Sequence, residues 1–174
     1  MAVKDKTMGW NATDFDPNAA YAALITAVSK EWGMTVSEVE EFIAQIEWHE
    51  SKGDHTAKQK LDDGSIGRGR GLFQYEMDKD GERGGGSTAR RRFGYWMEDQ
   101  GIDVGAIPED FSRLGPQLQR AIFLADALAK GGDPKREGVH NWWLDKHWAG
   151  AEKDRFDRSQ SFIRDMGSKY DNNY

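Results

Sequence analysis

The chain has no cysteine, which excludes disulfide staples, thiolate zinc sites and a cysteine nucleophile. It also has no long apolar run. Met1 to Trp10 is polar and carries lysines, with neither the core of a secretory signal nor a membrane span behind it. The expectation is therefore a soluble chain without a signal peptide and without membrane insertion. A basic excess is missing too: the net charge is −6, whereas binding to a nucleic-acid backbone calls for a basic face, so no nucleic-acid partner is expected. There is no internal repeat and no long proline- or serine-rich linker.

What is present suffices for one core. A length of 174 residues favours a single domain over 1–174, with residues 1–15 as an N-terminal arm. Seven Trp, eight Phe and five Tyr are more aromatic surface than a disordered chain carries. Helix signals recur. Asp16 as N-cap with Pro17 at the first helical position opens a helix through Ala19, Leu24 and Val28 that stops at Gly33. Thr35 with Glu38 forms a capping-box pattern at the head of a second helix, through Val39, Phe42, Ile43 and Ile46 to Gly53. Ser87 or Thr88 caps a third to Gly101, and Pro116 starts a fourth to Gly131. A Trp-rich helix around Trp142, Trp143 and Leu144 should end near Gly150, and a last one through Phe162, Ile163 and Met166 at Gly167. Glycine is concentrated between Gly64 and Gly86, which reads as a loop or short hairpin between two helical parts.

One carboxylate is out of place. On a wheel of roughly 100° per residue, Val39, Phe42, Ile43 and Ile46 form a stripe, and Glu50 falls near its centre. Aimed at a core, a carboxyl raises its pKa and takes a proton, as a general acid at neutral pH must. The bland alternative is that the helix leaves the core by its last turn and Glu50 is solvated or paired with Lys52.

Around it the sequence reads Ile46-Glu47-Trp48-His49-Glu50-Ser51-Lys52-Gly53-Asp54, and later Gly71-Leu72-Phe73-Gln74-Tyr75-Glu76. This resembles the lytic transglycosylases and their goose-type lysozyme relatives, in which a Glu-Ser pair ends a helix and a Gly-Leu-Met-Gln-like segment follows about twenty residues later. Phe73 stands where Met is commoner. A further element of that family, a Tyr-Asn-Ala-Gly run, has a counterpart in His147-Trp148-Ala149-Gly150, of which Ala149 and Gly150 match. The resemblance spans Ala19 to Gly150. It implies an all-α fold, or a lysozyme-like α+β fold with minimal sheet, whose helical lobes flank a saccharide cleft. Glu50 would be the catalytic acid and base, with Ser51 positioning it or the sugar. Gly71, Leu72, Phe73, Gln74, His147 and Trp148 would bind substrate.

The implied activity is that of a peptidoglycan-degrading muramidase. It would cut the β-1,4 bond between N-acetylmuramic acid and N-acetylglucosamine, as a lytic transglycosylase with one Glu and no cofactor. Candidates for a second carboxylate are Asp54, Asp62, Asp63 and Glu76, with Glu76 the preferred auxiliary. Trp48, Trp142, Trp143 and Trp148 are stacking candidates, Trp148 foremost. His49, His55, His140 and His147 lack metal-ligand spacing, so no metal is expected. Asp78-Lys79-Asp80-Gly81-Glu82 reads as a solvated turn rather than a calcium loop, and Arg90, Arg91 and Arg92 as a solvated helix start. The partners would be peptidoglycan glycan strands and other virion proteins. The setting would be a phage protein made in the host cytoplasm and acting at the wall, carried by the virion or released on lysis. The competing reading is a non-catalytic structural or glycan-binding virion protein of lysozyme-like fold.

Overall fold

A computed structural model of the chain describes residues 4–5, 10–11, 15–148 and 150–171. In the expected N-terminal arm, β1 (Lys4–Asp5) and β2 (Trp10–Asn11) pair antiparallel, and the rest of 1–14 lies outside the described residues. Phe15 is buried edge-on against Phe93, at 6.1 Å between ring centres, so the arm ends in the core.

Two helices follow as their caps dictate. The Asp16 side chain accepts from the Asn18 N–H ahead of α1 (Pro17–Trp32), and Gly33 closes it at φ 61°. Thr35 and Glu38 complete both bonds of the capping box of α2 (Val36–Ser51). The glycine-rich middle is a three-stranded antiparallel sheet in the order β3 (Lys58–Lys60), β4 (Ile66–Arg70), β5 (Tyr75–Glu76). Lys58 faces Arg70 across the first pair, and Arg70 faces Tyr75 across the second.

The third helix, α3 (Gly85–Asp99), begins before Ser87 and Thr88, which lie in its first turn rather than capping it. The cap comes from outside the helix. Asp78 accepts from the Gly84 N–H and the Ser87 hydroxyl, at 2.8 and 2.9 Å, and thereby satisfies a donor at the helix N-terminus. The 78–82 segment is the exposed turn expected of it, with Lys79 bridged to Glu82 around Asp80 and Gly81 at positive φ.

A 3-10 turn (Phe111–Arg113) leads into α4 (Pro116–Lys130). Every residue from Ala121 to Ala127 is buried, the pattern of a central helix, and α4 packs against α1 on one side and α3 on the other. Two short helices, α5 (Pro134–Glu137) and α6 (Val139–Trp142), pass into a π-helical turn (Trp143–His147). Trp142, wholly buried, sets its ring 5.0 Å from Phe42 and 6.1 Å from Phe123, joining α6 to α2 and α4.

A second 3-10 turn (Glu152–Asp154) leads into the last helix, α7 (Arg155–Asp171), which runs through Gly167 instead of stopping there. A helical glycine costs only about 1 kcal/mol, and α7 is anchored upstream by Phe162, buried 5.0 Å from the Trp143 ring. The described residues are thus mostly helical, with a small three-stranded sheet at the middle of the chain and the β1–β2 pair near its start.

Candidate functional site

Val39, Phe42, Ile43 and Ile46 are buried, and the stripe they form carries Glu50 inward at the last turn of α2, leaving its side chain 17% exposed. Lys52 does not pair with it. Its ammonium goes to Asp165 on α7, at 3.0 Å.

The partner of Glu50 comes from the π turn. There the Trp148 N–H reaches back five residues to the Trp143 carbonyl at 2.8 Å, widening the turn. Trp143 and His147, four residues apart on it, both face Glu50. The Trp143 indole N–H donates to Glu50 Oε1 at 2.6 Å. His147 Nε2 lies 3.9 Å from the same oxygen, too far for a hydrogen bond, and donates to the Phe73 carbonyl at 2.8 Å. His147 Nδ1 faces the Lys130 ammonium at 3.5 Å and can only accept there. Those partners assign His147 as the neutral tautomer protonated at Nε2. Burial, with the nearby Lys130 charge, pushes its pKa down to about 3.

Glu50 therefore has no imidazolium beside it. Desolvation raises its pKa from 4.5 to about 7, and the Trp143 hydrogen bond and the charges of Arg158 and Lys52 only moderate that rise. A carboxyl poised near neutrality gives and takes a proton with similar ease.

Behind this wall, Asp126 accepts from the Tyr75 hydroxyl at 2.6 Å, from Arg92 at 2.7 Å and from Lys130 at 2.7 Å. Burial works against its charge, but Lys130, Tyr75 and Arg92 together hold its carboxyl below the ordinary range. Burial and the Asp126 charge push the Tyr75 hydroxyl well above its own.

Glu50 opens into a cleft of about 720 Å³ between the sheet, the π turn and α7. Among the residues the sequence singled out, Phe73, Gln74, Glu76, His147 and Trp148 line it with Glu50, as do Asp62, Trp143 and His49. Trp148, half-buried, stacks on Trp143 at 6.4 Å between ring centres. Gly150 lies under that ring, where a Cβ would come within 2.0 Å of it, and Ala149 lies outside the described residues.

Gly71 and Leu72 are buried in the turn between β4 and β5. Gly71 has φ 77°, and a Cβ there would stand 2.2 Å from Gln119 Oε1. Gln119 cannot easily give way. It accepts from the Leu72 N–H and donates to the carbonyls of His55 and Leu114. Ser51 donates to the Glu47 carbonyl of its own helix, and Glu47 is held in turn by both nitrogens of an Arg120 fork.

The other candidates are dispersed. Asp54 and Asp63 each cap a loop, taking the backbone N–H and hydroxyl of Thr56 and of Ser65. Asp62 is on the cleft, and Glu76 is exposed there, 3.9 Å from Arg68. The Trp48 indole donates to the Asp165 carbonyl, and Trp142 belongs to the core. Arg90 is bound to the Ile107 carbonyl and Arg92 to Asp126, while Arg91 is exposed.

Sequence reasoning missed Asp165 and the role of His49. His49 Nδ1 is 2.8 Å from Asp165, and its ring stands edge-on to Trp143 at 4.5 Å. Arg158 and Lys130 also line the cleft unforeseen. Among the described residues no group of His, Cys, Asp and Glu is arranged to hold a metal, and no helix is long and apolar enough to cross a membrane. No family model matches the chain, and no curated protein or solved structure matches it either.

Proposed function

We propose that the chain cleaves peptidoglycan as a muramidase of the lytic transglycosylase type, with Glu50 as its acid and base. The observation that carries this reading is Glu50 itself. It is a carboxyl held by one indole at the head of an open cleft, with a pKa near 7 caused by burial.

Glu50 in its acid form protonates the oxygen between N-acetylmuramic acid and N-acetylglucosamine as the C1–O bond breaks. The positive charge developing at C1 is met by the sugar's own N-acetyl carbonyl. The Glu50 carboxylate then takes the proton of the muramyl 6-hydroxyl as O6 bonds to C1, which closes a 1,6-anhydro ring and restores the acid. This route needs no second carboxylate. That suits a cleft whose remaining carboxylates are Asp62, exposed Glu76, and Asp165, which is engaged by His49 and Lys52. Trp148, half-buried on the cleft wall, offers an aromatic face to a sugar ring.

The partners in this reading are glycan strands of the bacterial wall. A net charge of −6 gives no pull toward an anionic envelope, which favours an enzyme carried to the wall by a virion over a lysin that diffuses to it freely.

Release of label from dye-labelled purified peptidoglycan, measured against pH, tests the proposal. Activity should fall with a midpoint near pH 7 as Glu50 loses its proton in the free protein. Label release that is flat across that range, or no release at any pH, would reject it and leave a glycan-binding role.

A further inference from the structure

Glu50 has two carboxyl oxygens, and the structure treats them differently. Oε1 accepts the Trp143 indole N–H at 2.6 Å, whereas Oε2 has no hydrogen-bond partner among the described residues. In a protonated carboxyl the carbonyl oxygen is the better acceptor and the hydroxyl oxygen carries the proton. A donor fixed on Oε1 therefore places the proton on Oε2.

The indole itself is clamped. His49 stands edge-on to it at 4.5 Å, Phe162 lies at 5.0 Å and Trp148 stacks at 6.4 Å. His49 is held in turn by Asp165, so a chain of contacts from α7 through His49 sets the ring that sets Glu50. His147 does not compete for Oε1, because its Nε2 proton is given to the Phe73 carbonyl.

We infer that Trp143 is the positioning residue of Glu50, with its indole N–H fixing Oε1 as acceptor so that Oε2 is the oxygen that gives and takes the proton. The role of Oε2 in a reaction rests on the function proposed above, but the Trp143–Glu50 coupling does not.

The charged and titratable groups nearest Glu50 are His49 of α2 and Lys52 just beyond its end, His147 of the π turn and Arg158 and Asp165 of α7. Tyr75 of β5 and Lys130 of α4 also face it, and Lys58, Lys60, Asp62 and Glu76 line the cleft farther along. Burial lowers His49 below its ordinary value and brings His147 to about 3, so His147 does not titrate together with Glu50 near 7.

The test is to follow the tryptophan indole N–H signals of the full chain by two-dimensional proton–nitrogen NMR across pH. The Trp143 signal is assigned through bonds and by its loss in Trp143→Phe. It should shift with a midpoint near 7 in the wild type and stay flat in Glu50→Gln. If it does not move with Glu50, the inference is overturned, whether or not Trp143→Phe folds.

In the peptidoglycan assay, Trp143→Phe should lower kcat by about 10- to 100-fold at little change in KM, because the acid is no longer aimed. Its activity limb should move to higher pH, because the lost hydrogen bond favoured the carboxylate. Unchanged kcat and limb would also overturn the inference. A titrating indole in a protein that releases no label would leave the coupling standing and reject the reaction instead.

Discussion

Glu50→Gln is expected to lose the proposed peptidoglycan-degrading activity by on the order of 10²–10⁴-fold while becoming more stable than the wild type at about pH 8. The two effects share one cause. A carboxyl whose pKa rises from 4.5 to about 7 on folding binds its proton more tightly in the folded state. Its contribution to stability is present below about 4.5 and is lost as pH rises through about 7. The full difference corresponds to ~3 kcal/mol for a side chain this little exposed. Gln has no charge to desolvate, and its carbonyl keeps the Trp143 indole bond. Denaturant unfolding should therefore show Glu50→Gln ahead of the wild type by ~2–3 kcal/mol at about pH 8 and level with it at about pH 4. His147 lowers the stability of both proteins alike as pH falls from 6.5 toward 3, so it cancels in that comparison. Equal stability at both pH values would mean that Glu50 is not desolvated, and the general-acid reading would lose its physical basis.

Asp126→Asn is expected to cost ~3–5 kcal/mol of folding stability, the usual result of removing one partner from a buried ion network. Asp126 is 1% exposed and neutralises both Lys130 and Arg92. An amide at that place leaves two cations facing a neutral group. Replacing Arg92 alone should cost less, because Asp126 keeps Lys130 and Tyr75. Urea titration of both variants measures the difference. A loss below about 1 kcal/mol for Asp126→Asn would show that the network does not hold the wall behind His147.

Much of the helical frame was legible because its signals are local. Asp16, Pro17 and Gly33 mark α1, and Thr35 with Glu38 marks the head of α2, by bonds made within four or five residues. Where a cap is remote, local reading failed. The start of α3 depends on Asp78, several residues upstream, and the continuation of α7 past Gly167 follows docking by Phe162. The same division holds at the site. Glu50 is visible as a break in the apolar stripe, but its partner Trp143 is 93 residues away, and Asp165 is 116 residues from His49. No spacing rule reaches those distances. Gly71 and Leu72 carried a motif, and the structure gives them a packing role against Gln119. His147 was singled out as a substrate-binding residue only by its place in the His147-Trp148-Ala149-Gly150 run. Its neutral state depends on Lys130 and on the Phe73 carbonyl, which only the folded chain brings together.

The reaction proposed for Glu50 stands or falls on the ends of the glycan fragments. Purified peptidoglycan incubated with the wild type and with Glu50→Gln should be analysed for soluble muropeptides by mass spectrometry. The wild type should release fragments ending in 1,6-anhydromuramic acid, and Glu50→Gln should release none. Reducing-end muramic acid would contradict the transglycosylase route and require a group that activates water, while fragments that appear equally with both proteins, or with neither, would contradict Glu50 as the acid.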